Sequence, residues 1–426
     1  MSKVRSLFSV VVASALAFSA APLATAPLAA AQSALPLPPA PPMDQRLEAV
    51  LPSPSGDAFF DAPAVDSAAL AAAAPGEELA RRDVTAMATP IAGAPISRAT
   101  QFQFRTTAAD GTPTFGTATL LEPPGAGAAP GDELEGNPLL VYNSAIDSLG
   151  RRCTPGFSYA NGDLAAGVSP IRRLMESFPP MIADALRSGT AVLVPDHQGP
   201  SMAYADPQTA GYTILDASRT GPIGRAERLG YTGYSGGAIA SLGAGKLATE
   251  YAPEVAERLE GVAVGGVPAD FETLMTSMNE NLAVGLLGAA TLGVARAHPE
   301  MLDLLTDEGV QIASAVKDSC MDEVSLAGAT LADIDQIATP GALESPTAEK
   351  IYDLARMSDR AIPSPLYIYH GRDEFWVPIG PVRELADQQR DLGVSVTMRE
   401  VPGEHLLGMY TGYPEAKDWI HATLRG

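Results

Sequence analysis

Cysteine and positive charge are both scarce in this 426-residue chain. Lys and Arg together number 28 against 50 Asp and Glu, a formal net charge of −22. Such a chain offers no basic surface to nucleic acid or to an anionic membrane, so neither is expected as a partner. A metal set is also missing. His197 sits beside Asp196 in "VPDHQG", but no second His or Cys follows at ligand spacing. Nucleotide motifs are absent too: "GVAVGGVPAD" is glycine-rich yet lacks G-x-G-x-x-G, and no phosphate loop occurs. No cofactor is expected. The apolar runs Leu7 to Ala20 and Leu282 to Ala295 are too short to span a bilayer, so the mature chain should carry no transmembrane segment. No internal repeat is visible.

What is present is 46% hydrophobic residues, enough for a large core, and a length that suits one large domain with insertions. Residues 1–31 read as a secretory signal peptide. Lys3 and Arg5 precede the apolar run, and "AAA" at Ala29 to Ala31 offers a small-residue cleavage site before Gln32. Residues 32–76 are Ala/Pro-rich and read as a flexible or extended leader over the surface. In an exported chain the only two cysteines, Cys153 and Cys320, point to one disulfide. It would close a 167-residue loop. Chain entropy makes such a closure worth about 5 kcal/mol.

From residue 77 the pattern becomes strand and helix in alternation. "FQFRTTAADGTPTFGTATLLEP" predicts two strands around Asp110-Gly111. Short apolar runs follow at 138–144, 190–196, 229–235, 260–267, 365–371 and 394–401. Runs so short and apolar suit strands covered on both faces. Crossover helices are predicted at 178–189 and 379–393. The fold class is α/β with a mainly parallel sheet. Residues 270–343 break the rhythm, with little strand signal and much Leu, Met and Ala. They read as buried helix or as a helical cap over an acyl pocket, two readings that can hold together.

The chemistry centres on "RLGYTGYSGGAIASLGAGK". Gly233-Tyr234-Ser235-Gly236-Gly237 fits G-x-S-x-G, between an apolar strand and a helix of small residues. A nucleophile on a strained turn needs tiny flanking residues, because strand and helix approach closely there. Serine needs a base to take its proton and an acid to orient that base. Chain order in such enzymes runs Ser, acid, His. Of His298, His370, His405 and His421, only His405 follows the last strand in a turn, "VPGEHLLG". The others are read as structural. Asp373 comes first after the strand "PLYIYHG" and is the preferred acid, with Glu374 as fallback. The oxyanion needs preorganised donors. One is expected at the backbone N–H of Gly236. The second is expected in "SAIDSLG", from Asp147 or a neighbouring backbone N–H.

Together with "SLGRRCTPGFSY", "VLVPDHQGPSMAYADPQTAGYTILDASR", "GVAVGGVPAD" and "YHGRDEFWVP", these stretches resemble the secretory triacylglycerol lipase family of fungi and mycolic-acid-containing actinobacteria. The resemblance covers about Glu77 to the C-terminus. It implies an α/β-hydrolase fold with a helical cap and no cofactor. It implies Ser235, Asp373 and His405 as triad, and Asp147 with Gly236 as oxyanion donors. A side-chain donor at Asp147 must be protonated, which needs a strongly raised pKa. The resemblance also implies that a Cys153–Cys320 bridge ties sheet to cap. The expected function is an exported serine carboxylester hydrolase on lipid esters. The rivals are an esterase or acyltransferase on cell-envelope lipids, and a non-catalytic binding protein on a hydrolase scaffold.

Overall fold

The computed structural model describes residues 39–426 apart from 126, 128, 171, 174–179, 280 and 329–332. The expected signal peptide and the first residues of the leader, 32–38, lie outside the described residues. So do the first two residues of the crossover helix expected at 178–189.

Nine strands form one sheet: β1 (Glu78–Asp83), β2 (Arg98–Thr107), β3 (Pro113–Glu122), β4 (Pro138–Asn143), β5 (Ala191–Pro195), β6 (Arg228–Tyr234), β7 (Leu259–Gly265), β8 (Leu366–Gly371) and β9 (Val396–Val401). Their order is β1-β2-β3-β5-β4-β6-β7-β8-β9. The pairs β1/β2, β2/β3 and β3/β5 are antiparallel, and β5 through β9 run parallel. Each of the six short apolar runs between 138 and 401 became a strand. β1 was not foreseen, because "ELARRD" is a charged edge strand with no apolar alternation.

Helices α1 (Arg46–Val50), α2 (Met181–Arg187), α3 (Pro207–Arg219), α4 (Gly236–Tyr251), α5 (Phe271–Ser277), α6 (Val284–Ala297), α7 (Asp307–Val316), α8 (Met321–Gly328), α9 (Pro346–Arg356), α10 (Ile379–Asp391) and α11 (His405–Arg425) surround the sheet. Side chains that alternate along a strand feed two cores. Leu139, Val141, Leu366 and Ile368 face α3, α4 and α10, whereas Leu140, Tyr142, Tyr367 and Tyr369 face α2 and α11. Both sheet faces are covered, as the unbroken apolar runs require. The caps are local chemistry: Asp206 accepts from Thr209 N–H ahead of Pro207, and Glu404 accepts from Leu406 and Leu407 N–H at the start of α11.

The leader is more ordered than expected. Residues 43–72 carry short helices, and α1 buries Val50 completely. Arg46 reaches the carbonyls of Leu302 and Leu305 and the Asp307 carboxylate. Phe60 packs on Phe157 with ring centres 5.6 Å apart. Helices this short owe their stability to such contacts rather than to propensity, so composition alone did not reveal them.

Helices α5 to α8 occupy the segment expected as a cap. The apolar helix α6 buries Ala289, Leu292 and Ala295 in a hydrophobic cluster, while Leu286, Leu287 and Val294 line a cavity. Cys153 and Cys320 are joined, which ties the chain after β4 to the start of α8.

Candidate active site

The carboxyl ends of β4, β6 and β8 converge where the order of an α/β sheet opens a crevice for ligands. β6 turns into α4 through Ser235, whose φ of 53° and ψ of −118° are a conformation that a non-glycine residue adopts only when its surroundings impose it. The flanking glycines answer to close approach. A Cβ on Gly233 would meet the Gly237 carbonyl oxygen at 2.2 Å, one on Gly236 would meet Asp147 Oδ1 at 2.0 Å, and one on Gly237 would meet the Asn143 carbonyl oxygen at 2.0 Å.

His405 is the first residue of α11. Its Nε2 lies 3.0 Å from Ser235 Oγ, and its Nδ1 lies 2.7 Å from Glu374 Oε2. Nδ1–H therefore donates to the carboxylate, and Nε2 is free to accept from serine. The ring is held from three sides. Tyr234 donates from its hydroxyl to the His405 carbonyl at 2.6 Å, and the Tyr234 and Trp376 rings lie 5.2 and 6.1 Å from the imidazole.

The acid is the point at which the structure departs from expectation. Asp373 does not face His405. It is exposed, and its Oδ2 accepts from Gly403 N–H at 3.3 Å while its own N–H donates to the Gly403 carbonyl at 3.1 Å. Asp373 braces the turn that delivers the histidine. The next side chain along the turn after β8 points the other way: Glu374 is buried beside the imidazole, and its Oε1 accepts from the N–H groups of Trp376 and Val377 at 3.0 and 3.2 Å. Burial by itself would raise the Glu374 pKa. The hydrogen bond and charge of His405 and the two backbone donors outweigh it and hold the carboxyl below its ordinary value. His370 supports the same loop, accepting from Val267 N–H at 3.2 Å and donating to the Val377 carbonyl at 2.7 Å.

The loop after β4 passes over Ser235. Ile146 and Asp147 both have positive φ, 51° and 48°. The Asp147 N–H is engaged by the Ala145 carbonyl at 2.6 Å, so the side chain is what Asp147 has to offer. Asp147 and Tyr204 line the same cavity, and Asp147 Oδ1, buried against Gly236, has no hydrogen-bond partner. Burial raises the Asp147 pKa to about 8 against the opposing influence of the Tyr204 hydroxyl. That places the titration of this carboxyl above neutrality, next to the Gly236 N–H at a helix N-terminus.

An apolar cavity of about 1420 Å³, measured out to its open mouth, rises from Ser235 and His405. Leu274 and Met275 of α5 and Leu286, Leu287 and Val294 of α6 line it. Phe375 and Leu407, 57% and 51% exposed, are chain neighbours of the lining residues Trp376 and Leu406.

A sequence model of secretory lipases matches residues 173–426. The chain belongs to the secretory lipase family. Among curated relatives of this lipase-family chain, a probable inactive lipase of Mycobacterium tuberculosis is 28% identical, with 86% of this chain and 81% of that protein covered. Lipase 4 of Candida albicans is 26% identical over 87% and 82%, and the trichothecene C-3 esterase of Fusarium sporotrichioides is 27% identical over 86% and 83%. Among solved structures, Candida antarctica lipase A in its closed state superposes with a TM-score of 0.74 at 22% identity, covering 88% of this chain and 87% of that one. The fold is that of an α/β-hydrolase, and the family is one of lipases and esterases.

The structure brings together Ser235, His405, Asp147 and Gly236, all named from the sequence. It sets Glu374, the fallback acid, and not the preferred Asp373 against His405, and it adds Tyr204, which was not foreseen. The stretch "PSMAYADPQ" contained that tyrosine, but nothing in its spacing links it to Asp147.

Proposed function

We propose that this chain is an exported serine carboxylester hydrolase that cleaves acylglycerols and related lipid esters through an acyl-enzyme. The observation that carries this reading is the hydrogen-bonded run Ser235–His405–Glu374 at the base of an apolar cavity, with the unpartnered Asp147 oxygen beside it.

In this mechanism His405 Nε2 takes the Ser235 proton as Oγ attacks the ester carbonyl carbon. Glu374, ionised, steadies the imidazolium and fixes its tautomer. The oxyanion accepts from the Gly236 N–H and from the protonated Asp147 carboxyl. Collapse expels the alcohol, which takes the proton from His405. Water then attacks the acyl-enzyme with the same base, and the fatty acid leaves. The cavity, lined by aliphatic side chains and open at an apolar rim, suits an acyl chain entering from a lipid surface. No helix among the described residues is long and apolar enough to cross a membrane.

The test is hydrolysis of p-nitrophenyl esters from acetate to oleate by wild type and Ser235→Ala, with fluorophosphonate labelling of both. Long-chain activity and labelling that both vanish in the variant support the reading. Activity confined to short chains makes this an esterase. An unlabelled wild type whose residual activity equals the variant's favours a non-catalytic scaffold, which the name of the Mycobacterium relative makes worth excluding.

A further inference from the structure

Arg296, in the last turn of α6, is buried, and every hydrogen bond it makes ends on a backbone carbonyl. Nε donates to Val50 at 2.9 Å and Nη2 to Lys317 at 2.7 Å. Nη1 is shared among Leu149, Ser201 and Met202 at 2.8, 3.2 and 3.1 Å. Burial lowers its pKa to about 9, with Asp318 opposing. A buried cation among neutral acceptors is a costly way to fill space, since apolar packing of the same volume is often as stable.

Its partners lie in two particular places. Leu149 is two residues beyond Asp147 in the loop over Ser235. Ser201 and Met202 begin the turn that presents Tyr204, which lines the same cavity as Asp147. These two segments contain Ile146, Asp147, Met202 and Ala205, four of the six non-glycine residues with positive φ among the described residues. Each such residue is strained and persists only when its surroundings over-determine it. The cap helix supplies that constraint twice. One turn before Arg296, Gly293 has no side chain, and the Tyr204 backbone seats directly on it. A Cβ there would lie 2.4 Å from the Tyr204 carbonyl oxygen and 2.5 Å from its nitrogen.

We infer that Arg296 is a positioning residue for the oxyanion hole. From the cap helix it holds the 144–150 loop and the 201–205 turn at fixed spacing, so that the Asp147 carboxyl stays seated against Gly236 beside Ser235. This rests on the reading of Ser235 as nucleophile and Asp147 as oxyanion donor. The cap is thereby part of the catalytic geometry, not merely a cover over the acyl cavity.

The test uses the full mature chain as wild type, Arg296→Lys, Asp147→Ala and the double variant, with p-nitrophenyl butyrate as substrate. Turnover is expressed per Ser235 titrated to endpoint with a fluorophosphonate. Loss of a whole oxyanion donor costs about 10²–10³ in kcat. Arg296→Lys should lower kcat per titrated site about 10- to 100-fold with KM within threefold, because the substrate ground state does not use the donor. In the Asp147→Ala background the same change should cost less than twofold. A purely structural arginine would lower Tm and the yield of titratable sites but leave turnover per site at the wild-type value, and that result overturns the inference. If Arg296→Lys yields no titratable protein, Tyr204→Phe carries the test. It must lower kcat without raising KM and fail to add to Asp147→Ala, and wild-type turnover in it overturns the inference. Wild-type protein that never labels takes down the hydrolase reading and this one together. Labelled, Ser235-dependent activity with an unchanged Arg296→Lys takes down this one alone.

Discussion

Asp147 gives the site a pH limb of calculable position. Its carboxyl is a donor only while protonated, and its pKa is raised to about 8 by burial. One pH unit below that value about 90% of molecules keep the O–H, and one unit above it about 10% do. kcat should therefore hold from neutrality to about pH 8 and then fall close to tenfold per unit. Asp147→Asn keeps a donor that does not titrate, so its alkaline limb should disappear even if its plateau is lower. Asp147→Ala should lie about 10²–10³ below the wild-type plateau in kcat, a deficit that shrinks above pH 8 as the wild type loses its own donor. The linkage sign agrees. A folded pKa raised above the ordinary 3.8 means that the group's contribution is fully present below about pH 4 and is lost as pH rises toward 8. The accumulated cost is on the order of 5 kcal/mol. Asp147→Asn should thus raise Tm at pH 8 while leaving it nearly unchanged at pH 4. The assay is kcat against pH from 5 to 10 on a soluble butyrate ester, with Tm measured in parallel. An unchanged alkaline limb in Asp147→Asn, or wild-type kcat in Asp147→Ala, would refute the side-chain donor.

The assignment of the acid is tested by two neutral isosteres. Glu374→Gln replaces the carboxylate 2.7 Å from His405 Nδ1 with a neutral amide that can present its NH2 and so no longer fixes the tautomer; kcat should fall about 10³- to 10⁴-fold with the protein still folded, whereas Asp373→Asn should remain within about threefold. Steady-state kinetics with circular dichroism decides it, and the reverse ranking would reinstate Asp373. For the disulfide, Cys153→Ser/Cys320→Ser removes closure of a 167-residue loop and should lower unfolding stability in urea by up to about 5 kcal/mol. An unchanged midpoint would show that the bridge constrains nothing that the cap contacts do not already hold.

The eight strands read in advance were legible because strands covered on both faces must be short and apolar, and almost nothing else in a chain of this composition is. β1 and the leader helices escaped for the complementary reason. "ELARRD" is stabilised by pairing at an edge, and α1 by Arg46 and Val50 reaching the cap, so neither needs an apolar period of its own. Ser235 and His405 were legible because steric need at the elbow and chain order constrain them strongly.

The acid shows where such reasoning ends. Chain order locates a turn, here "GRDEFW", but adjacent side chains on a turn point apart, and which one faces inward depends on backbone angles that the residue types do not state. The two N–H groups that hold Glu374 belong to Trp376 and Val377, and any residue at those positions would donate equally well. The same holds for Arg296, whose acceptors are all carbonyls. A catalytic side chain leaves a mark in sequence when its partners are other side chains or when sterics forbid its neighbours. When the partners are backbone, the sequence carries no second letter to read. The residues that position this site are therefore the ones that only the fold could show.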